Sequence, residues 1–145
     1  MRAIVQRVKE TELKVNGELI SKIPFGLIVY FGVKKGDGKD KADYLAKKIA
    51  KLRIFEDENG KMNKSVLDVG GEIMSVSQFT LYGDVSHGNR PGFSEAEIPE
   101  IASPIYDYFC DKLIEQGVVV KRGIFGADMK ISQLSDGPVT IIYDV

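Results

Sequence analysis

Runs of apolar residues with the two-residue alternation of a β-strand occupy the beginning of the chain. Residues 2–8 alternate between two faces and are rich in β-branched side chains, so they predict a strand. Residues 11–15 and 18–23 predict a hairpin, because the Asn16-Gly17 pair between them suits the two positive φ angles of a type I′ turn. Residues 25–33 are apolar throughout, which is typical of a central strand covered on both faces.

Two segments have the three- and four-residue spacing of amphipathic helices. Residues 40–52 repeat apolar side chains at this spacing, and most of their lysines fall elsewhere. A second apolar stripe follows Ser94-Glu-Ala-Glu97, a capping-box pattern that can open a helix. The stripe consists of Ile101, Ile105, Tyr108, Phe109 and Leu113. Pro99 and Pro104 each lack an amide donor, which is tolerated in the first turn of a helix. The main helix is therefore expected to begin at the capping box or, later, near Pro99 or Pro104.

Further strands are predicted in the second half of the chain. Residues 71–82 form one run in which four side chains share a face: Met74, Val76, Gln78 and Thr80. Three shorter runs are also predicted as strands: 118–120, 129–133 and 139–143. This order differs from the regular alternation of a doubly wound parallel sheet. The pattern predicts a single α+β domain over residues 1–145, with a curved or barrel-like, mainly antiparallel sheet and two inserted helices.

Composition narrows the classes of function. The 145 residues are 43% hydrophobic, enough for one compact core. With 20 Lys and Arg against 21 Asp and Glu, no global basic field attracts RNA or DNA, so any nucleic-acid contact must be local. One Cys and one His exclude an intrachain disulfide and the usual Cys/His zinc sites. No apolar run approaches the roughly 20 residues of a membrane span, and we expect a soluble, cytoplasmic protein.

Common catalytic arrangements find little support in the sequence. A hydrolytic triad would have to use His87, the only imidazole, with Ser86 beside it, and this polar loop is expected to be exposed. The acidic residues 56–58 are typical of a solvated turn. The glycine clusters at 36–38 and 70–71 lack the spacing of a phosphate-binding loop. Triad, glycosidase and nucleoside-triphosphate chemistry are therefore all disfavoured.

Three polar or turn-forming segments stand out within apolar surroundings. In Ser77-Gln-Phe-Thr-Leu81, an amide and a hydroxyl are predicted to point into one environment; the alternative is a half-exposed strand with a polar outer face. Gly137-Pro138 allows an unusual orientation of its carbonyls, but it also fits an ordinary turn. Phe125-Gly-Ala-Asp-Met129 fits either a bulge with close backbone approach or a plain turn.

Together with two other segments, these motifs resemble those of the D-aminoacyl-tRNA deacylases. The resemblance extends over this chain from Met1 to Val145. The five matching segments, in order, are Met1-Arg-Ala-Ile-Val-Gln-Arg-Val8, Ser77-Gln-Phe-Thr-Leu81, Gly88-Asn-Arg-Pro-Gly-Phe93, Phe125-Gly-Ala-Asp-Met129 and Gly137-Pro-Val-Thr140. The chain departs from the family at Asp136, where Asn usually precedes Gly-Pro. This difference affects only the local side-chain contact, because the family's filter against L-amino acids is formed by the backbone of the Gly and Pro residues.

The resemblance implies a homodimer that hydrolyses the ester between a D-amino acid and the 3′ end of tRNA, and that also accepts mischarged glycyl-tRNA. It implies a cis peptide at Gly137-Pro138, inserted into the partner subunit's pocket as a filter against L-amino acids, with Arg7 supporting that loop. Glycine passes such a filter because it has no side chain to reject. Neither DNA nor a membrane is an expected partner.

The resemblance also assigns the catalytic segment, and two roles within it stay open. Thr80 is either a nucleophile, or Gln78 and the backbone amides around Phe79 and Thr80 position the carbonyl and stabilise the oxyanion. We favour the second, because no base is evident for Thr80 and the tRNA ribose brings its own 2′-hydroxyl. This scheme needs neither a metal nor another cofactor.

The remaining expectations concern how the RNA is bound. Ser77, Phe125 and Ala127 are expected to contact the substrate, the last two at the terminal adenosine. Five lysines are candidates for phosphate contact, or else form a solvated rim: Lys34, Lys35, Lys47, Lys48 and Lys51. The alternatives to the deacylase are a non-catalytic β-rich module that binds RNA or protein, and a generic esterase that uses Thr80 or Ser86 with His87.

Overall fold

The computed structural model describes residues 1–145 as eight strands, two α-helices and one short 3₁₀ helix. In chain order these are β1 (Arg2–Val15), β2 (Glu18–Ile23), β3 (Gly26–Gly32), α1 (Lys39–Ala50), β4 (Phe55–Glu56), β5 (Met62–Lys64), β6 (Glu72–Ser77), the 3₁₀ helix (Phe79–Tyr82), α2 (Pro99–Glu115), β7 (Val119–Arg122) and β8 (Met129–Asp144). Neither α-helix combines the length and the apolar character that crossing a bilayer requires.

Six strands form one curved sheet. Along the sheet the order is β2-β1-β3-β6-β7, and β8 pairs with β1. The pairs of β1 with β2, β3 and β8 are antiparallel, whereas β3–β6 and β6–β7 are parallel. The Ser21 hydroxyl of β2 donates to the Arg122 carbonyl of β7 at 2.6 Å, so the two ends of the sheet meet. The predicted barrel-like, mainly antiparallel sheet with two helices is confirmed.

β1 is the strand on which this sheet is built. Its first half pairs with β3, its second half pairs with β2, and β8 follows it along nearly its whole length. The two separate strands predicted at 2–8 and 11–15 are therefore one strand. The hairpin after it is confirmed, since Asn16 and Gly17 have φ angles of 51° and 84°. β3 is confirmed as a central strand between β1 and β6, and all its residues except Tyr30 are buried.

The strand predicted over residues 71–82 is wrong after Ser77, where the chain turns into the 3₁₀ helix. Neighbouring strands explain the change, because Ser77 pairs with Phe31 near the end of β3, and β7 ends opposite Ser75. The Gln78 amide still donates to the Phe31 carbonyl at 2.8 Å. Beyond it no strand lies on either side, so the backbone bonds locally instead.

The two helices pack together on one side of the sheet and enclose the larger core. Helix α1 lies within two residues of its predicted bounds, and its buried face is the predicted one. Helix α2 begins at Pro99, and its buried stripe includes Tyr106 and Cys110 in place of the predicted Ile101 and Tyr108. The Phe31 and Phe109 rings stack between helix and sheet, 4.1 Å apart. Burying each such ring contributes about 1.5–3 kcal/mol.

The capping box predicted at residues 94–97 does not open α2. The Glu97 carboxylate accepts hydrogen bonds from the Ile98 amide at 2.9 Å and from the Gly36 amide at 3.1 Å. Glu97 therefore ties the start of α2 to the turn after β3. Pro99 takes the first helical position, where an amide donor is not needed, and Pro104 lies inside the helix.

Candidate active site

A cavity of about 570 Å³ opens where β6, the start of α2 and the segment before β8 meet. Thirteen of its 19 lining residues are hydrophobic, which suits a site that binds a base or an apolar side chain. Five of the predicted site residues line it: Ser77, Gln78, Phe79, Phe125 and Ala127. The structure thus brings together at one cavity two segments that are almost 50 positions apart in sequence.

The turn after β6 brings polar groups to this cavity: Ser77 and Gln78 line it, whereas Thr80 lies beside Gln78 and does not line it. The Gln78 side-chain amide donates a hydrogen bond to the Thr80 hydroxyl oxygen. This bond leaves the Thr80 hydroxyl hydrogen free to donate elsewhere. The amide groups of Phe79 and Thr80 begin the 3₁₀ helix, a position where amides have no partner within the helix. The turn therefore presents a side-chain amide, a hydroxyl and backbone donors within three residues.

Gly32 allows this turn to fold over the end of β3. A Cβ atom at residue 32 would lie 3.0 Å from the Gln78 carbonyl oxygen and 3.3 Å from the Leu81 Cβ. Both distances are closer than an ordinary contact, so a side chain here would push the turn away. This role of Gly32 was not predicted from the sequence, although a glycine at the end of a strand of otherwise large residues is a usable sign of close backbone approach.

Tyr106 supports the turn from the helix side. It is 2% exposed, its hydroxyl donates to the Ser75 carbonyl of β6 at 2.8 Å, and its ring reaches the cavity wall beside Phe125. Burial raises the pKa of this phenol, so it stays neutral and keeps donating. The predicted apolar stripe of α2 omitted Tyr106, because a buried tyrosine with a hydrogen-bonded hydroxyl gives no distinct pattern in sequence.

Gly137 and Pro138 lie in a bulge of β8, away from the cavity lining. Gln6 pairs with Thr140 and Val8 pairs with Ser135, so Arg7 alone stands opposite residues 136–139. The predicted strands 129–133 and 139–143 are therefore one strand interrupted by a bulge. The Gly137–Pro138 peptide bond is cis, and Gly137 has a φ angle of 120°.

Arg7 lies under this bulge. Its Nε is 3.0 Å from the Asp136 carboxylate and 3.3 Å from the Asp136 carbonyl oxygen, and its Nη1 donates to the Ile54 carbonyl at 2.7 Å. Lys9 lies 3.6 Å from the same carboxylate. Asp136, the position where the chain departs from the resembling family, thus takes part in an ion pair.

The residues of the alternative esterase are not assembled. Ser86 and His87 are exposed in the loop after the 3₁₀ helix, and no hydrogen bond joins their side chains. Neither residue lines the cavity. Likewise, no group of three or more acidic, His or Cys side chains is placed to hold a metal ion.

The five candidate lysines lie in two places. Lys34 and Lys35 follow β3, where Lys34 forms an exposed ion pair with Glu95 at 3.1 Å. The other three lie on the exposed side or just beyond the end of α1, and no residue of α1 lines the cavity: Lys47, Lys48 and Lys51. Phosphate contact by any of these lysines stays a prediction.

Comparison with known proteins decides the family. The profile of the D-Tyr-tRNA(Tyr) deacylase family matches residues 4–144. The chain belongs to the D-Tyr-tRNA(Tyr) deacylase family. The D-aminoacyl-tRNA deacylase of Syntrophomonas wolfei is 56% identical over 99% of this chain and 97% of its own length. The corresponding protein of Thermus aquaticus is 54% identical over 99% of this chain and 95% of its own length.

Solved structures agree with this deacylase fold. The c-Myc DNA Unwinding Element Binding Protein is 41% identical, with a TM-score of 0.93 over 100% of this chain and 99% of its own. A probable eukaryotic D-amino acid tRNA deacylase is 19% identical, with a TM-score of 0.83 over 99% of this chain and 98% of its own. This second likeness supports the fold alone. The family resemblance inferred from five short motifs is confirmed over the whole chain.

Proposed function

We propose that this member of the deacylase family hydrolyses the ester between a D-amino acid and the terminal adenosine of tRNA, releasing free tRNA and the amino acid. Family membership over residues 4–144 supports the activity and the substrate class. The structural observation that carries the mechanism is the Gln78–Thr80 hydrogen bond, in a turn whose Gln78 lines the cavity.

In this mechanism the turn after β6 activates the ester carbonyl. The amides of Phe79 and Thr80 and the side chain of Gln78 donate to the carbonyl oxygen, which becomes negatively charged as water attacks. The aminoacyl ester is labile, so orienting the carbonyl and a water molecule supplies much of the acceleration. The 2′-hydroxyl of the terminal ribose lies beside the ester and assists in moving the proton.

Thr80 acts as a positioning donor in this proposal. A nucleophilic hydroxyl needs a neighbouring base to remove its proton. Thr80 instead accepts a hydrogen bond from an amide, which is not a base, and His87 forms no hydrogen bond with it. The structure therefore supports the second of the two roles left open for this segment.

The apolar cavity wall is proposed to bind the terminal adenosine. Phe125 and Ala127 lie on this wall with Tyr106 behind them, and Ser77 lies at the end of β6. An aromatic ring beside an unpaired base contributes stacking, the usual way of binding single-stranded RNA. The amino acid then occupies the part of the cavity next to the turn.

Selection against L-amino acids is proposed to come from a second copy of the chain. Gly137 and Pro138 do not line the cavity of their own chain, which supports insertion of the bulge into a partner's cavity. Backbone carbonyls there exclude the side chain of every L-amino acid in the same way. Glycyl-tRNA is accepted because glycine has no side chain for these carbonyls to exclude.

Deacylation of matched D-Tyr-tRNA, L-Tyr-tRNA and Gly-tRNA in the presence of EDTA tests this function. We expect the D-tyrosyl and glycyl esters to be cleaved and the L-tyrosyl ester to be spared. Cleavage of none supports the binding-module alternative, whereas equal cleavage of all three rules out the chiral filter. His87→Ala serves as the control variant, because only the generic esterase requires this imidazole.

Two further measurements address the partners. Sedimentation velocity on the active protein tests the dimer, and a fully active monomer would rule out a cavity completed by a second chain. The structural relative with 41% identity has a name that refers to DNA binding. Competition by a duplex DNA fragment in the deacylation assay therefore tests the prediction that this chain has no DNA partner.

A further inference from the structure

The loop between the 3₁₀ helix and α2, residues 83–93, carries an arginine that the mechanism above does not use. Four of the five arginines have a partner: Arg2 contacts Asp144, Arg7 contacts Asp136, Arg53 contacts Asn63 and Arg122 contacts Asp107 and Asp111. Arg90 is exposed and has neither a hydrogen bond nor an ion pair. Its guanidinium is the one left free to bind an external anion.

The same loop ends in an exposed aromatic ring at the mouth of the cavity. Phe93 lines the cavity, is 37% exposed, and meets Phe79 edge-on with their centroids 5.0 Å apart. Phe79 is 58% exposed. Core packing does not account for two phenyl rings left in solvent. A flat surface for stacking an unpaired base does account for them.

The base of the loop is held firmly. The backbones of Asp84 and Gly92 exchange two hydrogen bonds of 2.8 Å, and the Asp84 carboxylate accepts a third from the Ser86 amide at 2.8 Å. A Cβ atom at Gly83 would lie 3.2 Å from the Phe93 ring, so the ring rests directly on the backbone. The loop therefore keeps Phe93 in place and carries Arg90 on its tip.

Two lysines next to residues of the cavity lining already have carboxylate partners, whereas Arg90 has none. Lys34 is paired with Glu95 at 3.1 Å, and Lys130 is paired with Asp128 at 3.0 Å. Arg90 and Phe93 are three residues apart, so their Cα atoms are separated by at most about 11 Å. The ring and the guanidinium are thus close enough to contact the base and the phosphate of one nucleotide or of two adjacent ones.

We propose that this loop binds the penultimate nucleotide of the tRNA. Phe93 stacks on its base, and Arg90 binds the phosphate that joins it to the terminal adenosine. Guanidinium groups bind phosphate oxygens through two parallel hydrogen bonds, and stacking on an aromatic ring is tolerant of base identity. This inference rests on the proposed function, because that function places the terminal adenosine in the cavity that Phe93 lines.

Three substrates of increasing length test the proposal: the D-tyrosyl esters of adenosine, of the dinucleotide cytidylyl-adenosine, and of intact tRNA. Adenosine lacks both the phosphate and the second base. For Arg90→Ala we expect kcat/KM to fall about tenfold on the dinucleotide and the tRNA but to change less than about twofold on the adenosine ester. On a logarithmic plot against salt concentration, its slope for tRNA should become shallower by about 0.7, the value for one phosphate contact.

Phe93 is tested by the same series. For Phe93→Ala we expect the ratio of kcat/KM on the dinucleotide to kcat/KM on the adenosine ester to fall about tenfold, the loss expected for one stacked base. Phe93→Trp should restore the ratio, since it keeps an aromatic surface. Lys61→Ala, in the exposed turn between β4 and β5, is the matched control and should leave all three substrates unchanged.

The experiment distinguishes a failure of this inference from a failure of the proposed deacylase function. If the wild-type protein cleaves none of the three esters, the proposed function fails. If it cleaves all three but Arg90→Ala and Phe93→Ala affect the adenosine ester as strongly as the dinucleotide, the assignment to the penultimate nucleotide is wrong. Equal activity of both variants and the wild type on tRNA would overturn the proposal outright. Thermal melting of each variant confirms that it is folded.

Discussion

The Nε of Arg7 lies 3.0 Å from the carboxylate of Asp136, beneath the bulge of β8. The arginine side chain is 9% exposed and the aspartate 30%. The same guanidinium also donates to the carbonyl oxygens of Asp136 and Ile54. The buried Arg7 side chain therefore links the Gly137-Pro138 segment to β1, the strand that carries Arg7, and to Ile54, just before β4.

We expect Arg7→Met to lower the free energy of unfolding by about 3 kcal/mol, because it leaves Asp136 and the Ile54 carbonyl without their partner. Asp136→Asn should cost only about 1 kcal/mol, since the bonds from Arg7 to the two backbone carbonyls remain. Urea unfolding measures both values. Equal losses of stability in the two variants would mean that Arg7 stabilises the protein through the Asp136 carboxylate and not through the backbone carbonyls.

Thr80→Ala is expected to reduce kcat by about tenfold, the effect of losing one hydrogen bond to the reacting group. Loss of a sole nucleophile would instead reduce activity to the rate without enzyme. An acyl adduct trapped on Thr80 in the native protein would overturn the positioning role. Mass spectrometry of the quenched reaction detects such an adduct.

The Gln78–Thr80 hydrogen bond predicts that the two residues act as one unit. We expect Gln78→Ala to reduce kcat by about tenfold or more, and the double variant to lose less than the product of the single losses. Steady-state kinetics on D-Tyr-tRNA provide the four rates of this cycle. Full independence of the two substitutions would show that the hydrogen bond plays no part in catalysis.

Gly32→Ala is expected to destabilise the protein by about 1–3 kcal/mol, because its methyl group would lie against the Gln78 carbonyl. Activity should fall further than stability explains, since the displaced turn carries the catalytic donors. Gly92→Ala is the matched control: its Cβ would meet only the Asp84 carbonyl, at 3.9 Å. Differential scanning calorimetry and deacylation rates on both variants make the comparison.

Asp37 predicts an acid-dependent loss of stability. Burial alone would raise the pKa of its carboxyl, but hydrogen bonds from Lys41, the N-terminal ammonium and the Lys34 amide outweigh burial and lower it below 3.8. The stabilisation is therefore complete above about pH 4 and is lost as the pH falls through the folded value. Asp37→Asn should lower the stability at pH 7 by about 3 kcal/mol and flatten the loss below pH 4, as measured by urea unfolding across pH.

The sequence pattern predicted most of the elements, because the alternation in β1, the continuous apolar run of β3 and the helical spacing in α1 each reflect directly which faces are buried. It failed at Ser77, where the strand ends for lack of partners on either side, a fact of the sheet that no local pattern contains. It predicted correctly that Gln78 and Thr80 are neighbours, but a turn, rather than strand alternation, joins them. Residues 135–138 separated two predicted strands and fitted either an unusual backbone or an ordinary turn, because a bulge opposite Arg7 has the same local sequence as a turn. Only the assembled sheet distinguishes the two.

The pairing of β1 with β8 brings Arg2 against Asp144, which are 142 positions apart. During synthesis β1 emerges long before β8, and one edge of it stays open until β8 has left the ribosome. Pairings of such high contact order close slowly, because much chain entropy is lost before they are made. We therefore expect the sheet to close only after β8 has been synthesised, with the edge of β1 as the site most exposed to premature association or chaperone binding until then.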